Sequence, residues 1–167
     1  IMTMMQRIAI TDAVAAPNFI GAWQMENNDV CDDVVDFFEN NPDIQNAGAT
    51  VAGVDEKIKK TTDIRIEPRL FDQEKYQIFN NYMDHLVKCY QDYLEQWPFL
   101  KTIRDVEIGT FNLQKYAPGD HFSSVHTERD HSSNMHRILA FMTYLNDVED
   151  SGETSFPHYG INIKPEK

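Results

Sequence analysis

Apolar side chains recur along this chain in two rhythms, at helical steps before Pro98 and in alternating or continuous short runs after it. The run "NNDVCDDVVDFFENN" sets Val30, Val34, Phe37 and Phe38 at helical spacing between an Asn/Asp start and an Asn-Asn-Pro stop, which predicts an amphipathic helix. A longer helix is predicted over residues 71–96. There Phe79, Met83, Leu86, Val87, Tyr90, Tyr93, Leu94 and Trp97 recur every three or four positions. Asp72, Glu74, Lys75, Asp84 and Lys88 supply its polar side, and Pro98 ends it. The aromatic stripe reads as core rather than as a cofactor box, and His85 as a structural or surface histidine. Between the helices, "NAGATVAGVDEKIKKTTD" is a turn-rich connection or loose hairpin, whose Gly, Ala and Lys content marks it as the mobile loop of the chain.

Beyond Pro98 the pattern turns β-like. "DVEIGTFNLQKY" carries Val106, Ile108, Phe111, Leu113 and Tyr116, "APGD" is a turn, and "HFSSVHTE" reads as a further strand. "HRILAFMTYLND" is apolar on both faces, as an inner strand of a sandwich or barrel would be. "EDSGET" turns again and "TSFPHYGINIKP" opens another strand. Helices followed by short strands predict one α+β domain over residues 1–167. Residues 1–100 would be mainly helical support and residues 101–167 the strands of a β-sandwich or jelly roll.

Composition narrows the function classes. Hydrophobic residues make up 41% of 167 residues, with ten Phe, seven Tyr and two Trp, which is enough to build a core and excludes a disordered chain. No apolar run reaches the roughly 20 residues needed to span a bilayer, so no membrane partner is expected. The opening "IMTMMQRIAI" is too short and too weakly patterned for a signal peptide, and it begins with Ile, as a piece of a longer reading frame would. Cys31 and Cys89 make neither a disulfide framework nor a zinc signature, and they read as free thiols in a reducing, cytoplasmic compartment. A net charge of −12 repels phosphate backbones, so no nucleic-acid partner is expected either.

The candidate chemistry sits in "SSVHTERDH", residues 123–131. On a strand, residues two apart point the same way, so His126 and Glu128 would converge on one ion. An imidazole with a carboxylate suits a borderline cation such as Fe(II). A lone His-x-Glu arises by chance in many proteins, and its neighbours give this one weight. Tyr116 and its "APGD" turn precede it, Arg137 follows, and then come "YLN" and "GETSFP" in that order.

This ordered set resembles the prolyl 4-hydroxylase-like branch of the 2-oxoglutarate- and Fe(II)-dependent oxygenases. The resemblance covers residues 106–167, and the first hundred match only loosely, as helical support. It implies a double-stranded β-helix (jelly roll) core with supporting N-terminal helices. It also implies a dioxygenase that hydroxylates a C–H bond, of a prolyl residue in a peptide or of a small molecule, while 2-oxoglutarate is decarboxylated to succinate. His126 and Glu128 would be Fe(II) ligands, with Glu standing where the family usually has Asp. Tyr116 and Tyr144 would lie beside 2-oxoglutarate, Arg137 would be structural or substrate-side, and ascorbate is the candidate reductant. One extra residue between Gly119 and His126 is the size of a bulge.

The family's second iron histidine, and the basic partner of the distal carboxylate of 2-oxoglutarate, come downstream of the "IKP" strand and are not among these 167 residues. The jelly roll is therefore expected to be incomplete at its C-terminus, with a homodimer as one way to cover open edges. His121, His131, His136 and His158 read as surface or loop histidines, and "ERDHSSNMH" as a solvated loop at the mouth of the site. The competing reading is a truncated, non-catalytic β-sandwich module that binds a peptide or protein partner.

Overall fold

The computed structural model describes residues 5–10, 17–25 and 27–167. At its centre is an extended stretch made of β4 (Lys59–Lys60) and β5 (Thr62–Ile66). Alternation along this stretch puts Ile64 and Ile66 on one side and Lys59, Thr61 and Asp63 on the other. Strand β5 is the middle of a three-stranded antiparallel sheet, between β3 (Asn46–Ala47) and β6 (Phe111–Lys115). The register sets Ile64 opposite Leu113, Ile66 opposite Phe111 and Asp63 opposite Gln114. One face of the sheet is therefore apolar and the other polar.

The helices cover the apolar face. Val34, Phe37 and Phe38 of α1 (Asp29–Glu39) and Phe79 of α2 (Ile78–Gln96) join Ile64, Ile66 and Leu113 in one buried cluster. Phe79 is the hub of this cluster. Its ring meets Phe37 edge-on at 5.0 Å and Phe111 at 6.1 Å, and stacks on Phe71 at 5.7 Å. Helix α1 follows its apolar spacing. Helix α2 starts later than residue 71, because Gln73 is extended (φ −81°, ψ 136°) and residues Pro68–Leu70 and Glu74–Tyr76 form separate 3-10 turns.

Both α-helices precede residue 100, as expected, but strands are not confined to the remainder. Strand β5 lies in the first part and pairs along its whole length with β6 of the second. A further ribbon, β1 (Gln6–Ile8) with β2 (Ala22–Gln24), also precedes residue 100. The turn-rich connection does form a loose hairpin, with β3 antiparallel to the start of β5. Its end is fixed rather than loose, since Lys59, Thr61 and Asp63 are buried.

The "APGD" turn is observed. Asp120 N–H donates to Ala117 O at 2.8 Å, and Gly119 takes the φ of +87° that the third position of a type II turn after proline requires. It delivers β7 (His121–Phe122), which pairs with β4 so that Phe122 faces Lys59 and His121 faces Lys60. A hairpin of β8 (Thr154–Phe156) and β9 (Ile161–Ile163) follows.

The expected inner strand over residues 136–147 forms no ladder among the described residues. An apolar pattern cannot make a strand without a neighbouring backbone to bond, and Ile138, Leu139, Phe141 and Met142 remain 40–54% exposed. The segment is tied down by side chains instead. Tyr82 and Thr143 share a hydroxyl–hydroxyl bond of 2.8 Å, and Leu145 packs on the core cluster. The described residues thus form an α+β chain of two α-helices and four small antiparallel sheets. Among the described residues no helix is long and apolar enough to cross a membrane.

Candidate functional site

His126 and Glu128 do not share a strand face, contrary to the expectation from their spacing. Strand β7 ends at Phe122, and the last backbone bond to the β4 side is Ser123 N–H to Ile58 O at 2.9 Å. Past that point the chain leaves the ladder and bends at Glu128. The two heads meet all the same, with His126 Nε2 lying 3.7 Å from Glu128 Oε1.

Two neighbours set the chemistry of this pair. His126 Nδ1 lies 2.9 Å from Ser124 O, and a carbonyl only accepts, so Nδ1 carries the proton. In the neutral ring Nε2 then presents a lone pair towards Glu128 Oε1. Arg137 Nη1 donates to the other carboxylate oxygen, Oε2, at 2.7 Å. A turn over residues 131–136, in which Asn134 N–H bonds His131 O and Arg137 N–H bonds Asn134 O, brings Arg137 back over nine positions to reach it. The polar loop "ERDHSSNMH" is solvated as expected, with nearly every residue exposed.

With the ring neutral, Nε2 and Oε1 are two acceptors facing each other. Their 3.7 Å separation is shorter than twice a typical metal–ligand bond of about 2.1 Å, so one cation can touch both. A histidine whose other nitrogen donates to a backbone carbonyl, beside a carboxylate whose second oxygen is held by arginine, is the outer-sphere support that metal ligands commonly have. The donor set fits a cation to that extent. Among the described residues no third His, Cys, Asp or Glu joins the two to complete a cluster. Both side chains are also about half exposed.

Among the described residues no hydrogen bond joins Tyr116 or Tyr144 to this pair. Tyr116 is 46% exposed as a whole, yet burial around its phenol and then the Asp63 carboxylate push its pKa above the usual tyrosine value. The Tyr144 hydroxyl donates to Thr154 Oγ1 at 2.7 Å and approaches Ile163 O at 3.4 Å, so it pins the β8–β9 hairpin. Ile138, Ala140 and Met142, which would share its face on an extended strand, are open to solvent. Two surface clefts of about 340 Å³ lie elsewhere, one between Gln24, Asp147 and Lys164 and one between Ile8, Pro17 and Trp97.

A polar cluster beside the pair was not expected from the sequence. Lys59 and Asp63 are 3% and 8% exposed and form an ion pair of 2.8 Å. Asp63 also accepts from Thr61 Oγ1 at 2.6 Å and from Gln114 Nε2 at 3.2 Å. The Lys59 ammonium lies over the Phe122 ring, 5.5 Å from its centre, and the same ring stacks on His126 at 4.4 Å and 20°. The available signal was the alternation of Lys59, Thr61 and Asp63 in "KIKKTTD", which places all three on one side of an extended chain. No protein-family model, no curated protein and no solved structure matches this chain.

Proposed function

We propose that this chain is the larger part of a 2-oxoglutarate- and Fe(II)-dependent dioxygenase domain of the prolyl 4-hydroxylase-like kind, its small sheets being pieces of a jelly roll. The observation that carries this reading is the facing pair of acceptors, His126 Nε2 and Glu128 Oε1, 3.7 Å apart within the motif series that resembles that family. His126 and Glu128 would hold the iron. Ser124 O keeps the imidazole proton on Nδ1, and Arg137 orients the carboxylate so that Oε1 stays available. Fe(II) and 2-oxoglutarate, when bound, would let dioxygen act as the oxidant, one oxygen atom going to the C–H bond as a hydroxyl and the other into succinate, with carbon dioxide lost from 2-oxoglutarate. Tyr116 and Tyr144 are carried as cofactor-side residues by the resemblance alone. A prolyl residue of a peptide is the first substrate class, with ascorbate as reductant. A reducing, cytoplasmic setting suits both Fe(II) and the two cysteines, which are unpaired.

The Arg137–Glu128 bond favours a second reading. An ion pair already satisfies the carboxylate, as in a metal-free module that binds a peptide or protein partner. The test is an anaerobic titration of the chain with Fe(II) and 2-oxoglutarate, watched for the visible charge-transfer absorption of the chelate. The dioxygenase reading expects a band that is lost in Glu128→Ala and in His126→Ala. Absence of the band overturns it in favour of the metal-free module, and a band that survives both substitutions overturns His126 and Glu128 as the ligands.

A further inference from the structure

We infer that Phe122 is a positioning residue for His126, and that the buried Lys59–Asp63 pair is the seat on which it rests. The inference rests on the proposed role of His126 as a cation ligand and adds how its ring is held.

An exposed histidine on a loop turns freely about its side-chain torsions and exchanges tautomers. His126 is 42% exposed in its side chain and lies four residues past the end of β7, so nothing in its own backbone pairing fixes the ring. Two contacts fix it instead. The carbonyl of Ser124 takes Nδ1–H, and the Phe122 ring lies nearly parallel to the imidazole at 4.4 Å. Stacking on a flat ring limits rotation about the last torsion and so keeps Nδ1–H against the carbonyl that chooses the tautomer. Together they aim the Nε2 lone pair at Glu128 Oε1.

A platform orients another ring only if it is held itself. Phe122 faces Lys59 directly across the β4–β7 ladder, with the ammonium over its ring. The Lys59 side chain is 4% exposed, and the Asp63 carboxylate holds its ammonium in place. Asp63 is in turn fixed by Thr61 and Gln114. Gly48 leaves the room this arrangement needs, because a Cβ there would sit 1.9 Å from Thr61 Oγ1 and 3.1 Å from the Lys59 side chain. A continuous series of contacts therefore runs from the central strand of the sheet, through Asp63, Lys59 and Phe122, to His126.

The test compares wild type with Phe122→Leu, which keeps an apolar side chain but removes the flat ring, and with Phe122→Tyr, which restores the ring. The first readout is the ¹⁵N spectrum of the His126 ring in the metal-free protein. Wild type and Phe122→Tyr should show the single Nδ1-protonated tautomer, and Phe122→Leu a mixture. The second is calorimetric affinity for Mn(II) alone, which should fall about tenfold in Phe122→Leu and recover in Phe122→Tyr. Melting temperatures that stay together across the three proteins separate positioning from a general loss of structure. Unchanged His126 ring signals in Phe122→Leu overturn the inference. If wild type binds no Mn(II), the functional proposal fails, and the tautomer readout still decides whether Phe122 positions the ring.

Discussion

The Lys59–Asp63 pair makes a sharp energetic prediction, because its two halves are not equally supported. The side chains are 4% and 11% exposed, so each charge depends on protein partners rather than on water. Removing one partner of a buried pair costs about 3–5 kcal/mol, mainly because the survivor stays buried and uncompensated. In Lys59→Met the Asp63 carboxylate keeps the Thr61 hydroxyl at 2.6 Å and the Gln114 amide at 3.2 Å, which places this variant near the lower end, about 3 kcal/mol. In Asp63→Leu the ammonium keeps only the face of Phe122, which places that variant near the upper end, about 5 kcal/mol. The double variant has no buried charge and should lie within about 1–2 kcal/mol of wild type. A double-mutant cycle would then give a coupling of several kcal/mol, far beyond the few tenths expected of independent sites. Urea unfolding followed by far-ultraviolet circular dichroism measures all four proteins, and unchanged m-values would show that stability alone has moved. Single variants costing less than about 1 kcal/mol, or costs that simply add in the double variant, would refute the buried pair.

The remaining predictions concern the core and the thiols. Phe79→Ala removes the ring that joins both helices to the sheet and should cost about 3–5 kcal/mol in the same urea assay, and a loss below about 1 kcal/mol would show that the aromatic cluster is not the core. Burial pushes the Cys89 thiol up to about 11. In a Cys31→Ser background, modification of Cys89 by a disulfide reagent should therefore be slow at pH 8 and should accelerate about tenfold per pH unit until near that value. A rate that levels off near pH 9 would mean an ordinary exposed thiol. The linked effect on stability has a definite sign. The unfolded chain loses this proton first, so the contribution is intact below about pH 8.5 and is lost as the pH rises towards 11.

What could be read in advance differs between scaffold and site for a physical reason. Helix α1 was legible because Val34, Phe37 and Phe38 are apolar and are buried at the spacing that announces them. Strand β5 was not, although it centres the sheet. Its two inward isoleucines are separated by Arg65, and its other face carries Asp63, an acid that pattern rules assign to solvent. Asp63 is buried because Lys59, Thr61 and Gln114 satisfy it, and those partners come from outside the strand. Residues 136–147 show the opposite case. Their apolar pattern states a need for burial, but only a neighbouring backbone can answer it, and none does among the described residues.

The pair at the candidate site was legible for a reason that did not operate. Period-two alternation suggested that His126 and Glu128 would converge on a strand, and they converge instead on a bend. The longer glutamate arm matters in this setting, because it presents one oxygen to His126 Nε2 at 3.7 Å while Arg137 holds the other at 2.7 Å. Residue types with distinctive donor chemistry stay recognisable even when the local backbone differs from what their spacing implied. The groups that would hold them in place are not recognisable in that way, since a buried Lys–Asp pair under a phenylalanine is written with letters that usually mean surface and core. The positioning of His126 therefore became visible only once the β4–β7 register had put Lys59 opposite Phe122.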